Sequence, residues 1–310
     1  MPSAALELNT MTLSPRFTES IESLKLKFSK SVDELAWIQH LAITTREFPY
    51  PHFFEPKSWL FIEKEKEARF EISADLLAAW ICHMSHSTRR RMEVYEDEVL
   101  DALSKDRFLV ASTLARCHME ASAWGIYALE ELSKASDSSI WSKLEILIPK
   151  MLNGSAVFAE REHLAQSEVD PLWLKPKSVM EAIDAMGQYF ATCNAETPKE
   201  SPRILYAVLS DYAHPSMLGA RCLFQAREAK EGNGWTIFYG MPEPSDADDS
   251  AFVLRALLLS MRLGHSAAMM LRLGTIEDRD DGVFYLKPPL SVGAGVWEHI
   301  INGRPESQKH

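Results

Sequence analysis

The sequence predicts a mainly α protein, a multi-helix bundle with a small β element near 235–240. Three observations lead there. Only 13 of 310 residues are glycine, which leaves few tight turns for a sandwich or barrel. Long segments carry apolar residues at three- and four-residue steps, the period of a helix with one face in a core. A single stretch, Trp235-Thr236-Ile237-Phe238-Tyr239, reads convincingly as a strand, and it follows the turn signal Gly232-Asn233-Gly234.

Taken in order, residues 1–14 read as a flexible arm. A helix is expected from Pro15 to about Arg46, with Ile21, Leu24, Phe28, Val32, Leu35 and Ile38 on one face; Pro15 suits its first turn. Phe48 to Pro56 holds three prolines among aromatics and is a loop. The alternating charges Glu63 to Glu67 mark a solvated face or a short helix. Ile72 to Leu103 reads as a long helix. Asp106 is placed to cap the next one, which runs to about Lys134 and carries Leu109, Leu114, Met119, Trp124 and Leu129. Helices are expected over 140–152 and 155–167, the first stopped by Asn153-Gly154.

Ser178 to Cys193 places Val179, Ile183, Met186 and Phe190 on one stripe. The next helix carries Leu205, Val208, Leu209 and Tyr212, and Pro215 ends it by keeping His214 out of the α region. A further helix is expected from Leu218 to Lys230. The acidic run Ser245 to Asp249 caps the last long helix, which ends at Gly274. The chain therefore divides into the arm at 1–14, a single helical domain at 15–275 and an irregular C-terminal tail at 276–310.

A net charge of −11 and a pI near 5.4 set up a field that repels a phosphate backbone. Nucleic acid is a partner only if the Arg89-Arg90-Arg91 face, the one basic concentration, is used. That run otherwise reads as solvated. The cysteines Cys82, Cys117, Cys193 and Cys222 form no Cys-x-x-Cys pair and suit reduced thiols in the cytoplasm. The first residues have neither the basic nor the apolar region of a signal peptide. Phe252 to Leu273, the most apolar window, carries Arg255, Arg262, His265 and Arg272, too many charges for a membrane span.

The candidate chemistry gathers at Arg116, Glu120, Ser210, Asp211 and His214. Ser210, Asp211 and His214 crowd one helix end and invite a nucleophile–base–acid reading. No Gly-x-Ser-x-Gly elbow accompanies them, and His214 beside the last helical carbonyls is the plainer role. Arg116 and Glu120 stand at i, i+4, a natural ion pair. His118 points roughly 160° away from Arg116 and belongs to another face. The two helices are expected to pack together, because ionisable groups on apolar helices are tolerated when paired.

Metal ligation is weighed and set aside. Glu160-x-x-His163 and Asp211-x-x-His214 have ligand spacing, as helical di-metal sites do. Ten histidines and 44 acids in 310 residues give about 1.4 such pairs by chance, so two are no excess. Cys82 with His83 and His86 has no second ligand pair at zinc spacing. No metal and no cofactor are expected.

Leu205-Tyr206-Ala-Val-Leu209-Ser210-Asp211-Tyr212-Ala213-His214-Pro215-Ser216 resembles the Y-x-x-L-S-[DE]-x-x-H-P-[NS] segment of a group of uncharacterised bacterial helical proteins. Val179 to Asp184 is similar to its T-x-I-D helix, and Arg116, Glu120 and Tyr127 match its R-x-x-x-E-x-A-x-x-x-x-Y helix. The resemblance spans residues 107–220. That group looks distantly like bundles of the HEPN type (higher eukaryotes and prokaryotes nucleotide-binding), many of which are metal-independent ribonucleases of defence or toxin systems. Their signature is an Arg and a His four to six residues apart. Here only Arg46…His52, interrupted by Pro49 and Pro51, and Arg304…His310, in the tail, have that spacing.

The expected function is a cytosolic binding or interaction module with a protein partner or a second copy of itself, and no membrane. The alternative that the resemblance implies is a HEPN-like ribonuclease or nucleotide-directed enzyme.

Overall fold

Long amphipathic segments must bury one face each, and in this chain they do so against one another. The computed structural model describes residues 13–46, 74–134, 178–193, 201–214, 224–228, 235–239, 247–275, 277–278 and 284–285. Among these lie seven α-helices: α1 (Pro15–Lys27), α2 (Val32–Arg46), α3 (Ala74–Ser104), α4 (Phe108–Lys134), α5 (Val179–Cys193), α6 (Ser201–Ala213) and α7 (Ala247–Thr275). The protein is a mainly α bundle. The helices expected at 140–152 and 155–167 lie outside the described residues, as do Glu160 and His163. No helix among the described residues is long and apolar enough to cross a membrane.

The single helix expected over 15–46 is two. Ser14 caps α1, accepting from the Phe17 amide at 3.1 Å. Phe28 then leaves the helical region (φ −121°, ψ 72°), and Ser29–Ser31 form one 3₁₀ turn before α2. Apolar periodicity runs through this break because both halves lay the same stripe on the core: Phe17, Ile21, Leu24, Leu35, Ile38 and Leu41 are all fully buried.

Asp106 does not cap α4. It adopts φ 57°, the left-handed region that Asp tolerates. There it closes α3, with Arg107 N–H donating to Ala102 O at 2.8 Å and Asp106 N–H to Leu103 O at 3.2 Å; this pairing is a Schellman stop. Its carboxylate reaches Lys27 Nζ at 2.7 Å. Nearby, buried Asp101 gathers Arg16, Lys105 and Arg107, which fastens α1 to the α3–α4 corner.

Helix α4 is the hub, packed against α3, α5, α6 and α7. Ala111, Ala115, Met119, Ala123 and Ile126 supply a fully buried, largely small-residue face, which allows close helix approach. Two serines tie helices to α7: Ser122 Oγ of α4 donates to Ser260 O at 2.9 Å, and Ser85 Oγ of α3 to Ala268 O at 2.6 Å. Gly264 of α7 makes the tightest contact of any described glycine. A β-carbon there would lie 2.5 Å from Met92 Sδ of α3 and 2.7 Å from Ser122 Cβ of α4.

Within the stretch Leu218 to Lys230, for which the sequence predicts a helix, Phe224–Glu228 is extended instead. It pairs antiparallel with Trp235–Tyr239, Phe224 opposite Tyr239 and Glu228 opposite Trp235.

Candidate functional site

Helix α6 is held against α4 by a polar cluster at its outer edge. Ser178 caps α5 through its hydroxyl, which accepts from Met180 N at 3.2 Å, and Arg203 on α6 bonds Asp184 of α5 at 3.2 Å. Tyr212 packs edge-on against Phe108 at 4.9 Å, and its hydroxyl donates to Asp249 at the start of α7 at 2.7 Å. α6 ends at Ala213, and the His214 amide still donates to Ser210 O at 2.9 Å.

On this frame Arg116 and Glu120 of α4 face Tyr206 and His214. Arg116 Nε donates to Glu120 Oε1 at 3.0 Å, and Arg116 Nη2 to the Tyr206 hydroxyl at 3.2 Å. The guanidinium also lies over the Tyr206 ring, 5.3 Å from its centroid. Burial, then Glu120, pushes the Tyr206 phenol up from its ordinary value; it stays protonated and donates to Glu120 Oε1 at 2.8 Å. Arg116 Nη1 is left facing His214 Nε2 at 3.5 Å, on the exposed side.

Three of the five sequence candidates, Arg116, Glu120 and His214, therefore meet across two helices. Tyr206 joins them, a residue the sequence analysis names only as a position of the resembling segment. Ser210 does not act with them, because its hydroxyl donates to the Tyr206 carbonyl at 2.8 Å, a bond within its own helix. Asp211 lies on the exposed side of α6. Cys117 next door has its thiol pushed up by burial and by Glu120 and is no thiolate nucleophile.

The basic run on α3 is not a uniform solvated face. Arg89 is buried and its Nε pairs with Glu93 at 2.8 Å, while Arg90 Nη1 reaches the other oxygen of Glu93 at 3.0 Å. One carboxylate thus engages two of the three cations. A shallow concavity of about 410 Å³ lies beside them, lined by His86, Ser87, Arg90, Arg91, Val94 and Tyr95. Arg46, half of one Arg–His pair with nuclease spacing, is turned inward. Its Nη2 bonds Glu96 at 2.9 Å and Asp97 at 2.8 Å.

That inward arginine leads to a second cluster. Glu96 of α3, His118 of α4 and His265 of α7 are buried together, with a ligand atom from each within 4.8 Å of the other two. His265 Nε2 lies 2.5 Å and His118 Nε2 3.3 Å from the same Glu96 oxygen, Oε1. His118 Nδ1 lies 2.6 Å from Ser260 Oγ. Burial alone would raise the Glu96 carboxyl, but His265, His118 and Arg46 together hold it well below the usual range. Burial pushes His118 down, toward the neutral ring, against the pull of Glu96.

The sequence signal for this cluster is present but unpaired: two histidines on otherwise apolar helix faces and one acid amid a charged stretch of α3. Comparison with protein-family models, with curated proteins and with solved structures finds no match for this chain.

Proposed function

We propose that the chain is a helical binding module, with a small β element at 235–240, that engages a partner protein through the Arg116–Glu120–Tyr206–His214 edge. One observation carries this reading. Arg116 Nε and Nη2 are committed within the cluster, while Nη1 and His214 Nε2 converge at 3.5 Å on its exposed side. A rigidly held guanidinium edge beside an imidazole suits a carboxylate or phosphate of the partner. Rigidity lowers the ordering cost of binding.

The same juxtaposition supports a second reading, a metal-independent ribonuclease, since an Arg and a His meet in space although not at the family spacing in sequence. A titration separates the two. The His214 ring signals of histidine-labelled protein are followed by NMR while a short acidic peptide or a phosphopeptide is added. Saturable shifts that vanish in Arg116→Ala are expected. No shift with either peptide would refute the module. Cleavage of a labelled RNA in the presence of chelator, lost in His214→Ala, would transfer the site to the enzyme reading.

A further inference from the structure

The buried cluster has the donor set of a metal site, not only of a packed polar core. Three different helices each send one ligand to a common point, and every ligand is sealed from solvent. The donors are two imidazoles and one carboxylate. That set suits a borderline divalent ion such as zinc, iron(II) or cobalt(II), and supplies too few oxygens for calcium or magnesium.

The hydrogen-bond accounting points the same way. Ser260 Oγ lies 2.9 Å from Ala256 O and 3.0 Å from Leu257 O, to which its proton can go. The same hydroxyl lies 2.6 Å from His118 Nδ1, so it holds the outer nitrogen of this ring in either tautomer. His118 Nε2 faces Glu96 Oε1 at 3.3 Å on the inner side of the ring. A divalent cation in place of the proton between this nitrogen and the carboxylate would join the two in a dry interior. A ligating histidine whose other nitrogen is held by an outer partner is the usual arrangement at metals. Arg46 binds the opposite oxygen, Oε2, which fixes the carboxylate and leaves Oε1 to the histidines. His265 Nδ1 is buried with no hydrogen-bond partner, so among the described residues Glu96 is the polar contact that positions this ring.

We infer that Glu96, His118 and His265 form a structural site for one divalent transition-metal ion, with Ser260 and Arg46 orienting two of its ligands. Three protein donors leave a fourth position for water or hydroxide. Because the ligands are sealed, the ion enters as the chain folds and helps hold α3, α4 and α7 together.

The test uses the full chain, unfolded with chelator and refolded with cobalt(II) or zinc(II). Stoichiometric cobalt should give the visible ligand-field bands of a low-coordinate nitrogen/oxygen site, and zinc should raise the melting temperature reversibly against chelator. His265→Ala and Glu96→Gln should lose the bands, Ser260→Ala should weaken binding roughly 10–100-fold, and Arg116→Ala should keep it. If the two ligand variants do not fold, the wild-type bands and the zinc-dependent melting shift decide alone. No bands and no shift would overturn the site and leave a proton-only network. Bands retained in folded His265→Ala and Glu96→Gln would overturn it equally.

Discussion

Arg46→Ala is expected to be among the most damaging single substitutions in the chain. Arg46 is 9% exposed and its Nη2 joins Glu96 to Asp97, while its guanidinium lies over Phe17 at 4.9 Å. Asp97 is partly exposed and can be rehydrated. Glu96 is fully buried and would retain only the imidazole contacts. Removing one partner of a buried pair costs about 3–5 kcal/mol, because a charge is stranded. At ~2 °C per kcal/mol for a chain of this size, the melting temperature should fall by roughly 6–10 °C. Arg46→Met separates charge from volume: it refills most of the space and should cost nearly as much. With chelator present throughout, Arg46→Met with Glu96→Gln should recover much of the loss, since the pair is removed together. Arg90→Ala, whose side chain is 62% exposed, should cost less than about 1 kcal/mol. Thermal unfolding by circular dichroism reads all four. Equal small shifts in Arg46→Ala and Arg90→Ala would show that Glu96 is not held by Arg46.

Three other perturbations probe the pH response, the helix crossing and the surface cluster. His118 and Glu96 both have folded-state values below their ordinary ones of 6.5 and 4.5, so the unfolded chain binds more protons than the folded one. Stability should therefore decline as pH falls below about 6.5 and faster below 4.5, read as falling urea midpoints, and a flat profile would contradict it. Gly264→Ala places a methyl against Ser122 Cβ at 2.7 Å, where Ser122 has little room to yield. A loss of at least ~1–3 kcal/mol is expected in equilibrium unfolding, and a neutral result would mean the crossing is looser than described. Arg116→Ala should cost about 1 kcal/mol or less in a melt, because Arg116 and Glu120 are 24% and 30% exposed; a cost above 3 kcal/mol would make the cluster structural.

The helices are readable in the sequence because each has one clean apolar period, and α5, α6 and α7 start and stop close to their Ser, Pro and acidic signals. The break at Phe28 is not, since a kink that keeps one stripe on one core leaves the period intact. Asp106 misleads because the same short side chain suits a cap and a left-handed stop; the Arg107–Ala102 hydrogen bond decides, and it is not local composition. At the surface site, Arg116 and Glu120 are legible as an i, i+4 pair, whereas Tyr206 reaches them from another helix, 86 residues from Glu120 in sequence, which no spacing along one helix reveals. The buried cluster is illegible for a different reason. Ligand spacing can be counted only along single helices, whereas Glu96, His118 and His265 come from three. In sequence, His265 is no more than a polar interruption of an apolar window.

The glycine at the crossing of α3, α4 and α7 also governs where this chain can change length. Each residue added within a helix advances the remainder by 1.5 Å and turns it about 100°. One insertion between Ala247 and Leu263 would carry Gly264 away from Met92 and Ser122 and bring a larger side chain to the narrowest point. It would also swing His265 off Glu96, so a single indel would break packing and polar pairing together. An insertion ahead of Ala247 shifts neither. Variation in length should thus accumulate outside α7, while its interior keeps a fixed count from cap to crossing.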